Sequence, residues 1–158
     1  MLNLANALAD TASARNDTNL FAESVRTYRQ SLQLDPQSTD AHINLGMVWE
    51  AQKREDLAIV EYGEAARIAP DSEQVQLKLA DALSRAEKLA EAAQHYEAAE
   101  KLNPGRVENY SRAGLCYAML GQMEPAARQF GEVIRLNPAD ASAYGNLGNA
   151  LSSLNRFG

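Results

Sequence analysis

The chain has 158 residues, a net charge of −6 and 46% hydrophobic residues, enough for a small domain or a short repeat array. Its acidity disfavours phosphate backbones as partners, so no nucleic acid is expected. A single cysteine, Cys116, excludes an intrachain disulfide framework and a multi-cysteine zinc site, and no apolar run approaches the ~18 residues of a membrane span.

In chain order, the first segment is irregular. Asn3-Leu4-Ala5-Asn6-Ala7-Leu8 echoes Asn146-Leu147-Gly148-Asn149-Ala150-Leu151 near the other end. It has no basic region before its apolar stretch and does not read as a signal peptide. From Leu8 to Ser24 there are seven more residues than between the matching positions Trp49 and Ala58. That is about two helical turns, expected as a longer first helix or a longer loop around Ala14–Thr18.

From there a period of 34 takes over. Pro36, Pro70, Pro104 and Pro138 share it, as do Tyr28, Tyr62, Tyr96 and Phe130. So do the small residues Ser24, Ala58, Ala92 and Ala126, the set Gly46, Ala80, Gly114 and Gly148, and Trp49, Leu83, Tyr117 and Leu151. Within each period the spacing is helical. His42, Leu45, Gly46 and Trp49 fall on one face of a helix A; Ala58, Tyr62 and Ala65 fall on one face of a helix B. The polar break Lys53-Arg54-Glu55 separates them. Each proline closes a B helix, because the residue before it is pushed out of the helical region. Asp71-Ser72 and Asp140 then offer N-caps for the next A helix. Small residues at the Gly46 and Ala58 positions let the helices approach closely. A large side chain at Ala92 is expected to cost about 1–3 kcal/mol through overpacking.

Tyr110, Gly114, Tyr117, Ala126, Phe130 and Pro138 carry a pattern that resembles the tetratricopeptide repeat (TPR). The departures are His42 and Gln76 for the first aromatic, Ala113 for leucine, and Pro125 early in a B helix, where a first turn tolerates it. The resemblance implies an all-α, right-handed superhelical solenoid of antiparallel helix hairpins with about nine helices. It would form one domain over 1–158, with units of 1–38, 39–72, 73–106, 107–140 and an incomplete 141–158.

In this family the A helices line a concave groove that binds peptides. Carried onto this chain, the groove positions are Ile43, Asn44 and Met47 in the second unit, then Leu77, Lys78, Asp81 and Arg85 in the third. Ser111, Arg112, Leu115 and Met119 follow in the fourth, and Asn146 and Asn149 in the fifth. Ile43, Met47, Leu77, Leu115 and Met119 are apolar where packing does not ask for it, and methionine suits an adaptable surface. Asn3, Asn44 and Asn146 occupy equivalent places. This row is similar to the asparagine ladder of the O-linked N-acetylglucosamine transferase repeats, whose amides grip an extended backbone. Lys78 and Arg112 interrupt the row. Ile43, Leu77, Ser111 and Gly145 stand where the family's carboxylate clamp would want lysine, so that particular activity is not expected.

No catalytic constellation accompanies these features. His42 is expected in the core or half-buried and His95 on the surface, with no carboxylate cluster to complete a metal site. Cys116 has no histidine at usable spacing, and no phosphate-binding loop occurs. The expected function is therefore a non-enzymatic scaffold for a protein or extended peptide, without cofactor or metal, in the cytoplasm. Two other readings remain open. One is the substrate-recruiting segment of a larger enzyme such as a glycosyltransferase, which the end at Gly158 favours. The other is a self-associating array, joined through the uncapped edge of Leu147, Leu151, Leu154 and Phe157.

Overall fold

A computed structural model describes residues 1–15 and 17–157, with only the backbone of Arg156 and Phe157. Asn16, in the expected Ala14–Thr18 connection, and Gly158 lie outside the described residues. Among those described there are nine α-helices and no strand. They alternate as the 34-residue period requires. The A helices are α1 (Leu2–Arg15), α3 (Thr39–Ala51), α5 (Glu73–Arg85), α7 (Val107–Met119) and α9 (Ala141–Phe157). The B helices are α2 (Thr18–Leu34), α4 (Glu55–Ile68), α6 (Leu89–Leu102) and α8 (Met123–Leu136). The chain divides into two compact units, Met1–Pro70 and Asp71–Gly158.

In the first unit α1 pairs with α2 and α3 with α4, and α3 also touches α1 and α2. Phe21, Val25, Tyr28, Leu45 and Val48 form its buried core with Ala5 and Ala12. The seven extra residues lengthen both helices. α1 runs seven residues past Leu8 while α3 stops two past Trp49, and α2 has 17 residues against 14 in α4. Asp17 caps α2, its carboxylate accepting from the amides of Asn19 and Leu20 at 2.9 and 3.3 Å.

In the second unit α5 pairs with α6, α6 with α7, α7 with α8, and α8 with α9. Phe130, Ala126 and Ala150 are buried together, with Leu147 packed on them. Glu73, at the start of α5, accepts from Asn103, Arg106 and Asn109 at 3.0–3.3 Å and so ties α5 to the α6–α7 connection. These bonds hold its carboxyl below the usual range, the Asn103 bond most of all. Asp140 caps α9 through the Ala143 amide at 3.0 Å, whereas Ser72 sits at the N-cap of α5 with no side-chain bond.

The turns inside the hairpins repeat as well. The amide of Arg54 bonds the carbonyl of Trp49, Lys88 that of Leu83, and Gln122 that of Tyr117, at 2.9 Å each. This closure places Lys53, Glu87 and Gly121, again 34 apart, in the left-handed region with φ of 56°, 59° and 74°.

The small-residue set behaves as expected at two positions and differently at a third. A methyl group on Gly46 would sit 2.5 Å from the Tyr62 ring, and one on Gly114 2.8 Å from the Phe130 ring. Both glycines are therefore close-approach points for the B-helix aromatic. At Gly148 nothing lies within 4 Å. Among the described residues no aromatic faces it, and the close-approach reading is corrected there.

Candidate functional site

The A-helix positions carry the candidate residues, and each unit holds its own set. In the first unit, α1 and α3 flank an open cleft of about 350 Å³ lined by Asn6, Asp10, Ser13, Tyr28, Asn44 and Met47. Met47 is 45% exposed there. Ile43 is not: at 7% exposure it belongs to the buried set, which corrects its expected place on the open face. Asn44 is half-buried, and its amide donates to the Oδ1 of Asn6 at 3.1 Å. The hydroxyl of Tyr28 donates to the same oxygen at 2.5 Å. Burial, with Asp10 nearby, pushes the Tyr28 hydroxyl up to about 12, so it stays a donor at any physiological pH.

The second unit repeats this arrangement with charge. The hydroxyl of Tyr96 donates to the Oδ1 of Asp81 at 2.6 Å, and the Arg112 guanidinium donates to that oxygen at 2.5 Å. Arg112 also lies 6.0 Å from the centre of the Tyr96 ring. Once the seven extra residues of the first segment are allowed for, Asp81 stands where Asn6 stands, and Arg112 stands two periods of 34 after Asn44. In both units a B-helix tyrosine and the next A helix converge on one acceptor. In the second hairpin Met47 takes the acceptor's place, and the Tyr62 hydroxyl turns to Glu50 at 2.7 Å. In the fourth the aromatic is Phe130, which has no hydroxyl, and the position holds Leu115. The polarity of one site matches that of the other because a buried hydroxyl needs an acceptor and a buried phenyl does not.

The remaining candidates divide by burial. Leu77 and Lys78 are half-buried on α5, and Arg85 is exposed in its last turn. Ser111 turns its hydroxyl inward to the Val107 carbonyl at 3.2 Å. Together with Glu108, Arg112 and Asp140 it lines a shallow cleft of about 410 Å³. Leu115 is 46% exposed and Met119 70%. Leu115, Asn146 and Asn149 meet at a smaller cleft of about 130 Å³ between α7 and α9, walled by Phe130. Asn149 is exposed and Asn146 half-buried.

Comparison with known proteins places this arrangement. A family model described as tetratricopeptide repeat matches residues 7–73 and 77–130. The chain belongs to the tetratricopeptide repeat family. No curated protein matches the sequence. Among solved structures, the TPR chain is similar to the MamA protein, with a TM-score of 0.81 and 20% identity over 98% of this chain and 82% of that one. It is also similar to YrrB, described as a TPR protein with an unusual peptide-binding site, at 0.75 and 24% over 91% and 73%. A third likeness is to the first TPR of Spaghetti (RPAP3) bound to an HSP90 peptide, at 0.64 and 26% over 76% and 95%. The first two show the fold alone.

The other reactive groups of this TPR chain are held by packing. His42 is buried with Nδ1 2.8 Å from Glu61, as a core histidine should be. His95 is half-buried, 2.7 Å from the Gln76 side chain, and burial depresses its pKa; its expected surface position is corrected. The Cys116 thiol is buried and pushed up by that burial, which keeps it protonated and unreactive. No group of His, Cys, Asp or Glu among the described residues is placed to hold a metal ion. No described helix is long and apolar enough to cross a membrane. On α9, Leu147 packs inward, Leu154 is half-buried and Leu151 is exposed, while the side chain of Phe157 lies outside the described residues.

Proposed function

We propose that this TPR chain is a scaffold that binds a protein or peptide segment through the faces of its A helices. One observation carries the reading. Packing buries most of the periodic apolar side chains, yet Met47, Leu115 and Met119 stand 45–70% exposed on α3 and α7, two of them beside clefts. Exposed apolar side chains, two of them beside clefts, are what a partner's side chains displace water from. The likeness to a TPR carrying an HSP90 peptide supports the same class of partner. The anchors are Met47, Leu115 and Met119, with Leu77 and the exposed Asn149 as lesser contacts.

The polar part of the groove is narrower than the row of candidates implies. Asn44 of α3 bonds to Asn6 of α1, and Arg112 of α7 bonds to Asp81 of α5, so a peptide backbone meets their remaining donors and not whole side chains. The asparagine ladder is correspondingly weak, because Asn44 already gives its amide to Asn6.

The test is selection of binding peptides from a random display library on the full chain, followed by affinity measurement on Met47→Glu and on the Leu115→Glu/Met119→Glu pair. These side chains are exposed, so folding should survive, which circular dichroism checks. Loss of affinity by tenfold, about 1.4 kcal/mol, or more is expected. Unchanged affinity in all variants would remove the A-helix faces as the binding surface.

A further inference from the structure

A second cleft lies outside the A-helix faces, between α2 and the end of α3, with a volume of about 600 Å³. Its lining runs along one stripe of α2, from Thr18 through Ala22, Arg26 and Arg29 to Gln33, and is closed by Trp49. The stripe spans 16 residues, a rise of about 22 Å along the helix, the length of six or seven extended residues.

The chemistry of this cleft is one-sided. Arg26 and Arg29 are both exposed, and neither has a carboxylate partner among the described residues. Arg54, Arg67, Arg106, Arg112 and Arg135 each have one. The indole N–H of Trp49 likewise has no acceptor among the described residues. Two free cations in one cleft are notable in a chain of net charge −6.

The matching place in the second unit shows what closes such a cleft. In 34-residue register, Tyr117 stands where Trp49 stands and Glu97 where Arg29 stands. There the Tyr117 hydroxyl donates to Glu97 at 2.7 Å and joins α6 to α7. Between α2 and α3 both partners are donors, so no such bond forms. The missing acceptor is a carboxylate at that position.

We propose that the α2–α3 cleft binds an acidic peptide segment of a partner protein, whose carboxylates take the place that Glu97 fills in the second unit. Arg26 and Arg29 are one helical turn apart, about 5–6 Å at Cβ. Two acidic residues separated by one in an extended chain are about 7 Å apart on one side, which suits that spacing. Guanidinium groups grip carboxylates through paired N–H donors. Ala22, Val25 and Trp49 supply an apolar wall for a neighbouring aliphatic side chain. A cleft of this length and mixed lining favours a peptide over a small inorganic anion.

Trp49 is the sole tryptophan and therefore reports on the cleft directly. Random octapeptides are selected on the full chain and counter-selected on the Arg26→Gln/Arg29→Gln variant, which retains helix-forming residues at two exposed sites. The surviving peptides should carry at least two Asp or Glu residues. They should shift Trp49 fluorescence saturably, and bind the variant at least about tenfold more weakly. Their affinity should fall as salt rises. The proposal is overturned if no peptide separates the two proteins, if those that do lack acidic residues, or if Trp49 emission stays unchanged. A saturable response to inorganic phosphate alone would also overturn it, by making this a small-anion site. Peptides that bind both proteins equally belong to the A-helix faces, so the two sites fail or succeed separately.

Discussion

Gly46 and Gly148 occupy the same place in the period and have opposite surroundings. At Gly46 the Tyr62 ring fills the space a methyl group would need, and Tyr62 is itself buried and anchored through its hydroxyl to Glu50. Gly46→Ala should therefore destabilise the chain by about 1–3 kcal/mol, as overpacking does. Gly148 is a helical glycine with no neighbour to meet. Gly148→Ala should stabilise by about 0.5–1 kcal/mol, through the lower backbone entropy of alanine in a helix. Urea denaturation of the two variants checks both signs. Equal effects would show that the glycine at this position answers to helix propensity and not to the facing aromatic. The Tyr28–Asn6–Asn44 and Tyr96–Asp81–Arg112 arrangements belong to the same scale, since each follows from whether the B-helix aromatic carries a hydroxyl.

Between elements, the contact of α6 with α8 holds the clearest titratable feature. Glu100 is buried on α6, where Gln129 of α8 donates to its Oε2 at 3.3 Å and Oε1 has no partner. Burial above all pushes its carboxyl up to about 7, opposed first by the Gln129 bond, while Glu97 and Glu132 add repulsion and Lys101 offsets part of it. The folded state thus holds a proton that the unfolded chain releases near its ordinary value of 4.5. Folding is favoured by protonation, so this group's effect on stability is best below pH 4.5, worsens as pH rises, and levels off above about 7. Glu100→Gln should raise stability at pH 8 by about 1–2 kcal/mol and change little at pH 4. Thermal melts across that range test it; a variant less stable than the parent at pH 8 would contradict the assignment. The helices themselves were legible from the 34-residue period, from the apolar spacing within it, and from the prolines that end α2, α4, α6 and α8. The register of the irregular first unit was legible too, since Asn6 meets Asn44 as Asp81 meets Arg112. The burial of Ile43 was not, because helical spacing locates a face but not how closely the neighbouring helix covers it. The bonding of Tyr28 and Asn44 to Asn6 was not legible either. Its signal, tyrosine matched to an acceptor and phenylalanine to leucine, lies between helices and not within one.

Across the whole chain, the repeat separates residues that build the hairpins from residues that packing leaves free to vary. The periodic small residues of the B helices and their aromatics recur because the hairpins pack on them, and what varies between hairpins lies on the A-helix faces and along α2. That variation distinguishes Met47 and Leu115 from the charged Asp81 at the same position, and Arg29 from Glu97. Hydrogen exchange on the full chain tests this separation most directly, using a selected peptide that still binds the Arg26→Gln/Arg29→Gln variant. Protection gained on binding should concentrate on α3 and α7, around Met47 and Leu115–Met119, with the outer faces of α4, α6 and α8 unchanged. Protection confined to those B helices, with α3 and α7 exchanging as in the free chain, would contradict the account.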